Sequence, residues 1–266
     1  MDTRNGEILH REEWNGDLVE VIENGGSRSL FFASCFLQSR IALDSPAHLQ
    51  LSYTQYMLLG LPALQAIGNI LIIGIGAGAL VHFCHHHFPE SDIEAVDNSP
   101  HVIDLARGYF RLPENDRVHI HCSDGLAYLE RQAGRKRFDL ILVDAFDHRG
   151  MAETIYTRPF FEHCMHAVTP EGMISCNLWS GEKKRLDAIR DGISACFSGQ
   201  IFLSVPNRGN VVILGFRQPV PWHRFTLSKK KWQDLEDRFD LEFRKMLKVI
   251  RRDNRNLLQR YFPFFR

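Results

Sequence analysis

Apolar residues in this chain fall into short runs punctuated by turn signals, and the runs alternate between strand-like and helix-like spacing. The clearest run is Ile70 to Ile73, four apolar residues that suit a strand covered on both faces. It breaks at Gly74-Ile75-Gly76-Ala77-Gly78, and a helix is expected from Ala79 to Phe88. Three glycines at alternate positions let the backbone bend and approach a ligand closely, while the following helix aims its free N–H groups and positive dipole end at the turn. Further strands are expected over 92–96, 118–122, 138–143, 173–178, 200–205 and 210–215, with helices over 100–110, 126–132, 159–168 and 183–197 between them. Ser99 and Pro100 supply a cap and a first helical residue for one of these helices. Thr169-Pro170-Glu171-Gly172 reads as a turn. The pattern predicts an α/β fold around a mostly parallel seven-stranded sheet whose last two strands form a hairpin through Pro206-Asn207-Arg208-Gly209.

The flanks read differently. Residues from about Trp14 to Leu43 are β-rich, with a hairpin at Asn24-Gly25-Gly26 and a further strand over 36–43. So small a sheet lacks a core of its own and must pack on the main domain or on another subunit. A helix is expected over 52–64, and a single amphipathic helix over 232–250, with Trp232, Leu235, Phe239, Phe243, Met246 and Ile250 on one face. The basic run Lys248 to Arg255 and the aromatic end Tyr261 to Phe265 suit either a covering element or a subunit contact. The resulting division is 1–51 β-rich region, 52–220 Rossmann-like nucleoside-binding domain and 221–266 helical extension.

Composition narrows the partners. The 266 residues carry 32 Lys plus Arg against 32 Asp plus Glu, so no net field draws the chain to nucleic acid or an anionic membrane. Residues 1–11 are polar without a signal-type apolar segment, and no run reaches membrane-spanning length, so a cytoplasmic protein is expected. The six cysteines form no C-x-x-C pair and read as reduced core thiols. His82 and His85-His86-His87 lack a partner at a recognised ligand spacing, so no metal is expected there.

Three consecutive strands carry acids at their carboxyl ends: Asp97, then Asp124 in Ser123-Asp124-Gly125, then Asp144. Ligands of open α/β sheets bind at that edge. Gly74-x-Gly76-x-x-Ala79 also satisfies the dinucleotide fingerprint, which keeps NAD as an alternative. A series of carboxylates fits an adenosine carrying a cationic sulfonium better, because they hold hydroxyls and an adenine amine without repelling a bound phosphate.

As an ordered set, Gln38-Ser39-Arg40, Tyr53, the glycine turn, Asp97, Asp124-Gly125, Asp144-x-x-Asp147, Ile155-Tyr156-Thr157-Arg158-x-Phe160-Phe161 and Thr169-Pro170-Glu171-Gly172 resemble the spermidine synthase family of polyamine aminopropyltransferases and its methyltransferase-like relatives, over about residues 14–216. The resemblance implies the class I methyltransferase fold, to which a terminal hairpin on a parallel sheet belongs. It implies Asp144 and Asp147 as catalytic groups, Asp147 and Tyr156 at the acceptor, and Gly74, Gly76, Gly78, Asp97, Asp124, Gly125, Gln38 and Tyr53 around the cofactor. A carboxylate both attracts a protonated amine and takes the proton that blocks its lone pair.

Three positions depart from the family pattern. Ala77 stands where the family's glycine loop carries Asp, Tyr53-Thr54-Gln55 replaces Tyr-His-Glu, and His148 replaces a proline. Losing a charge-assisted bond to a cationic donor tail forfeits about 1.5–3 kcal/mol, which tilts the expected cofactor from decarboxylated S-adenosylmethionine toward S-adenosylmethionine itself. The expectation is a homodimeric transferase that alkylates a small-molecule amine by methyl or aminopropyl transfer. The alternatives are a true polyamine aminopropyltransferase and a non-catalytic nucleoside-binding or assembly protein.

Overall fold

The computed structural model describes residues 5–32, 36–147, 150–152 and 154–254. The chain begins with an antiparallel sheet of β1 (Glu7–Trp14), β2 (Asp17–Asn24), β3 (Ser27–Phe32) and β4 (Phe36–Ala42), in that order. The β-rich region therefore starts at Glu7, seven residues ahead of the expected Trp14. β1 is an edge strand whose charged residues Glu7, Arg11 and Glu13 are exposed, so its apolar pattern is weak.

The helix expected over 52–64 is shorter. It forms α1 (Ser52–Met57), followed by a 3-10 turn at Leu61–Ala63. Pro62 sits in the first turn of that second piece, where its missing N–H and ring prevent continuation of α1.

The central unit follows as β5 (Asn69–Ile73), α2 (Ala79–His87), β6 (Asp92–Asp97), α3 (Pro100–Phe110), β7 (Val118–Cys122), α4 (Gly125–Gln132), β8 (Phe138–Val143), a two-residue pair β9 (Phe146–Asp147) and β10 (Gly150–Met151), α5 (Arg158–Ala167), β11 (Val168–Trp179), α6 (Lys183–Cys196), β12 (Gly199–Ser204) and β13 (Asn210–Phe216). Seven of these strands form one sheet in the order β12-β13-β11-β8-β5-β6-β7. All pairings are parallel except those of β13, which runs antiparallel to both β11 and β12. The turn expected at 169–172 lies within β11 as an irregularity, because the register against β8 shifts between Val168–Phe138 and Met173–Leu140. Strand order reverses at β5, so a crevice opens between the carboxyl ends of β5 and β8.

A 3-10 turn at Trp222–Phe225 leads to α7 (Lys229–Phe239) and α8 (Phe243–Asp253). The single helix expected over 232–250 is thus two. Asp240 adopts a left-handed conformation at φ 51° and ends α7, while Phe239 and Phe243 on either side of the break are both buried, as is Leu241 within it. The apolar spacing runs across the break, which hides it from a periodicity reading. Residues 255–266, with the aromatic end, lie outside the described residues.

One hydrophobic cluster joins Val19, Val21, Leu30 and Ile41 of the small sheet, Ile70 and Ile72 of β5, and Phe239, Phe243 and Ile250 of the last two helices. A second cluster fills the opposite face of the main sheet between β8, β11, α5 and α6. The histidines of α2 are spent locally: His82 Nε2 lies 2.8 Å from the Phe110 carbonyl and His85 Nε2 3.0 Å from Asn115 Nδ2. His87 packs against Phe83 and Phe239, and burial pulls its pKa down to about 4. Among the described residues, no cluster of His, Cys, Asp or Glu could hold a metal ion, every described cysteine is free, and no helix is long and apolar enough to cross a membrane.

Candidate active site

The glycine turn lies at the switch point and closes tightly on its neighbours. Gly74 has φ 93°, its N–H donates to the Val96 carbonyl at 2.8 Å, and a Cβ there would lie 2.1 Å from the Asp144 carbonyl oxygen. Only glycine satisfies both the conformation and the approach. Gly76 faces Ser39 of β4, which a Cβ would meet at 3.2 Å, so the small N-terminal sheet forms one wall of the turn. Gly78 caps α2.

Beyond the turn lies an open cleft lined among others by Gly74, Asp97, Asn98, Asp124, Gly125 and Ile155. Asp97 ends β6. Its Oδ2 accepts the Ile75 N–H at 2.9 Å and its Oδ1 the Ser99 N–H at 3.0 Å. Burial raises its pKa, against those backbone donors and that of Gly76, which favour the ionised form. Asp124 caps α4 by accepting from Ala127 N–H at 3.0 Å, and its other oxygen accepts the Thr154 hydroxyl at 2.6 Å. Gly125 brings α4 against β5, where a Cβ would meet Ile73 Cγ2 at 2.7 Å.

Asp144 ends β8 on the other side of the switch point. Its Oδ2 accepts from the Tyr53 hydroxyl at 3.1 Å and its Oδ1 from Asn177 Nδ2 at 2.8 Å. Desolvation pushes its pKa up to about 6, opposed by the Asn177 and Tyr53 hydrogen bonds. Tyr53 reaches the carboxylate from α1, and its hydroxyl also lies 3.2 Å from the Gln38 carbonyl of β4. Burial raises the Tyr53 pKa well above the usual phenol value, so it remains a donor. Asn177 is 2 % exposed on β11, and its Oδ1 accepts from Asn210 Nδ2 of β13 at 3.0 Å. That second contact orients the amide, leaving Nδ2 to face Asp144.

The structure therefore lines one cleft with Gly74, Asp97, Asp124 and Gly125, with Gly76 on the same turn and the Tyr53–Asp144 pair beside it, where the Asp144 carbonyl packs on Gly74. Gln38 takes part through its backbone carbonyl. Tyr156 stands behind the crevice: it is 5 % exposed, has φ 64°, and donates to the Asn177 carbonyl at 2.8 Å while lying 3.3 Å from Ala145 N–H. The Asp147 side chain and His148 lie outside the described residues. Asn177, Asn210 and Thr154 were not singled out in the sequence. Asn177 gave no distinct signal, since Ser175 of the same strand is likewise polar and buried.

Comparison with known proteins agrees with this geometry. The spermine/spermidine synthase domain profile matches residues 52–191. The polyamine aminopropyltransferase of Chromobacterium violaceum is 35% identical over 238 residues, covering 89% of this chain and 90% of the relative. A probable spermidine synthase from Corynebacterium glutamicum superposes with TM-score 0.70 at 20% identity, covering 80% of this chain and 81% of that one. Human methyltransferase-like protein 13, solved in complex with SAH, superposes with TM-score 0.63 at 23% identity, covering 73% and 93%. The sheet order, the antiparallel β13 and the crevice at β5 and β8 define the class I methyltransferase fold, and the aminopropyltransferase relatives mark the chain as a transferase. Within that class, the chain belongs to the spermine/spermidine synthase family.

Proposed function

We propose that the chain alkylates a small-molecule amine, with S-adenosylmethionine or its decarboxylated form as donor and Asp144 as the base. The observation that carries this reading is the Asp144 carboxylate, held at the switch point by two side-chain donors with a pKa near 6. A carboxylate with that value is ionised at neutral pH yet basic enough to accept a proton from an ammonium group as attack proceeds. The donor, when bound, supplies a carbon activated by its sulfonium. Asp97 suits the ribose hydroxyls, since its carboxylate stands at the end of β6 with the turn's N–H groups around it. Asp124 would orient the adenine, with Thr154 fixing its second oxygen. The backbone of Gly74 to Gly78 would run beside the tail, its glycines letting the turn close on Asp144, Ser39 and Leu112. Tyr53 and Asn177 hold the Asp144 carboxylate in one orientation, and Asp147 would add a second negative charge for the acceptor. In this reading the enzyme is cytoplasmic and homodimeric, which sedimentation of the purified chain checks for assembly.

Thermal unfolding with S-adenosylmethionine, decarboxylated S-adenosylmethionine, methylthioadenosine and NAD tests the assignment. A ligand at one hundred times its dissociation constant adds about 2.7 kcal/mol, which moves the midpoint of a chain this long by several degrees. The S-adenosyl compounds and methylthioadenosine are expected to raise the midpoint and NAD to leave it unchanged. A shift with NAD alone would replace this reading with a dinucleotide enzyme.

A further inference from the structure

The segment that follows Asp144 builds one wall of the cleft on slender support. Ala145, Phe146 and Ala152 line the cleft. Between them stands the short pair of β9 and β10, in which Met151 lies opposite Phe146 and Gly150 opposite Asp147. A hairpin of this size does not hold itself in water. Ala152 N–H closes the segment on the Ala145 carbonyl at 3.1 Å, and the remaining anchors come from outside it. Trp179 N–H, at the end of β11, points to Met151 Sδ at 3.4 Å. From α6, Nη2 of Arg185 donates to two successive carbonyls, Met151 at 2.6 Å and Ala152 at 3.0 Å. Met151 itself is 1 % exposed.

Arg185 is unusually placed for a cation. It is the third residue of α6, after Lys183 and Lys184, so three positive side chains stand at the positive end of the helix dipole, where an acidic group is the favourable one. The two lysines are exposed, while Arg185 is half-buried. Glu182 Oε2 lies 3.8 Å from its Nη1, but so open an ion pair contributes little. The carbonyls are the stronger partners. A charged donor makes hydrogen bonds about twice as strong as a neutral one, and a guanidinium is weakly hydrated, so it loses little in turning inward.

We propose that Arg185 is a positioning residue for the nucleoside: its strap across the Met151 and Ala152 carbonyls fixes the wall formed by Phe146 and Ala152 against the base of the donor. The proposal rests on the transferase reading, in which this cleft takes the adenosine part. Thr154 and Ile155 line the same cleft just beyond Ala152, so loosening Ala152 also loosens the hydroxyl that Thr154 places on Asp124. Asp144 is held separately by Tyr53 and Asn177, so the strap acts on nucleoside binding rather than on the proton step.

Calorimetric titration of methylthioadenosine into the full chain, with hydrogen exchange of the Ala152 amide beside it, tests the strap on Arg185→Met, Arg185→Lys and Arg190→Met. Arg190 lies on the same helix but 4.4 Å over the Phe202 ring, so its variant reports any general effect of altering α6. Losing a hydrogen bond from a charged donor is expected to weaken methylthioadenosine binding about tenfold in Arg185→Met. Ala152 should exchange faster in the same variant. Arg185→Lys should recover part of the affinity, and Arg190→Met should bind as the wild type does. Unchanged binding by Arg185→Met overturns the strap and leaves the transferase reading standing, even where the midpoint falls, because the residue then serves stability alone. An equal loss in Arg190→Met, or lost affinity with Ala152 exchange unchanged, overturns it as well. Should Arg185→Met fail to fold, Arg185→Lys decides: weaker binding than the wild type supports the strap, and equal binding overturns it. A wild type that does not bind methylthioadenosine sinks both the strap and the transferase reading.

Discussion

Asp144 sits where burial and function pull in opposite directions. In the unfolded chain its pKa is that of an ordinary aspartate, about 4, and folding raises it to about 6. Between those values the folded protein holds a proton that the unfolded chain has released. The group's contribution to stability is therefore complete below about pH 4 and is lost as the pH rises through 6. Asp144→Asn cannot ionise, and its geometry is compatible with the site: Oδ1 still accepts from Asn177, and the new amide donates to Tyr53, whose hydroxyl turns to the Gln38 carbonyl. At pH 7 the variant should be more stable than the wild type by up to ~3 kcal/mol, with the gain vanishing near pH 4, as urea titrations at both values would show. Turnover should collapse while methylthioadenosine still binds. Asn177→Leu should act in the opposite sense on the same carboxylate. Removing a donor that favours the ionised form moves the acidic limb of the kcat/KM profile to higher pH and lowers the rate at neutral pH about tenfold. An unmoved limb would show that Asn177 serves packing alone. Asp97 and Asp144 were legible in the sequence because each follows an apolar run, and Asp124 because it ends the next strand and opens a helix at Gly125, strand ends in such sheets facing the crevice. Asn177 was not, because one polar residue inside a buried strand leaves the apolar pattern unchanged, and its role comes from Asn210, 33 residues away.

The elements show how the same patterning that marks the interior conceals its boundaries. Strands β5 through β8 and the helices between them fall within a residue or two of their expected places, because apolar runs and caps such as Ser99 mark both ends. The break between α7 and α8 is invisible because Phe239, Leu241 and Phe243 keep contributing to one core while the backbone reverses at Asp240. β1 is faint because an exposed edge strand needs few apolar residues. β12, an edge of the main sheet, is protected differently. Asn254, at the end of α8, accepts from Phe202 N–H at 3.0 Å and donates to the Phe202 carbonyl at 2.7 Å, so one amide replaces a neighbouring strand. Asp253 accepts the Ser204 N–H beside it at 2.6 Å. Asn254→Ala leaves both Phe202 groups unpaired and should cost about 1–3 kcal/mol. It also opens an edge to pairing with other chains, so light scattering should grow with protein concentration in the variant and stay flat in the wild type. A fall in midpoint without scattering would limit the role of Asn254 to stability.

At the scale of the whole molecule, the sequence suggests three regions, while one core runs through all of them. Val19 and Leu30 of the small sheet, Ile72 of the central strand and Phe243 and Ile250 of the last helices belong to a single buried cluster. The site is shared in the same way: Ser39 against the glycine turn comes from the small sheet, Tyr53 from α1, and Asp144 and Asn177 from the central unit. Neither the 1–51 sheet nor the 221–266 extension can leave without exposing apolar surface and opening the site. Calorimetry should accordingly record one transition, with calorimetric and van't Hoff enthalpies equal at about 190 kcal/mol for a midpoint near 60 °C. S-adenosylmethionine should shift that transition as a whole rather than split it, because its binding energy is felt by every element that builds the crevice. Two resolved transitions, with only the later one moving with ligand, would mean that the small sheet or the helical extension melts independently. The shared core and the contact of Ser39 with Gly76 would then be too weak to couple them. Removal of residues 1–51 adds a sharper form of the same test. The remainder should fail to give a cooperative melt, since Ile72, Ile75 and Ala77 lose the cover that keeps them from water.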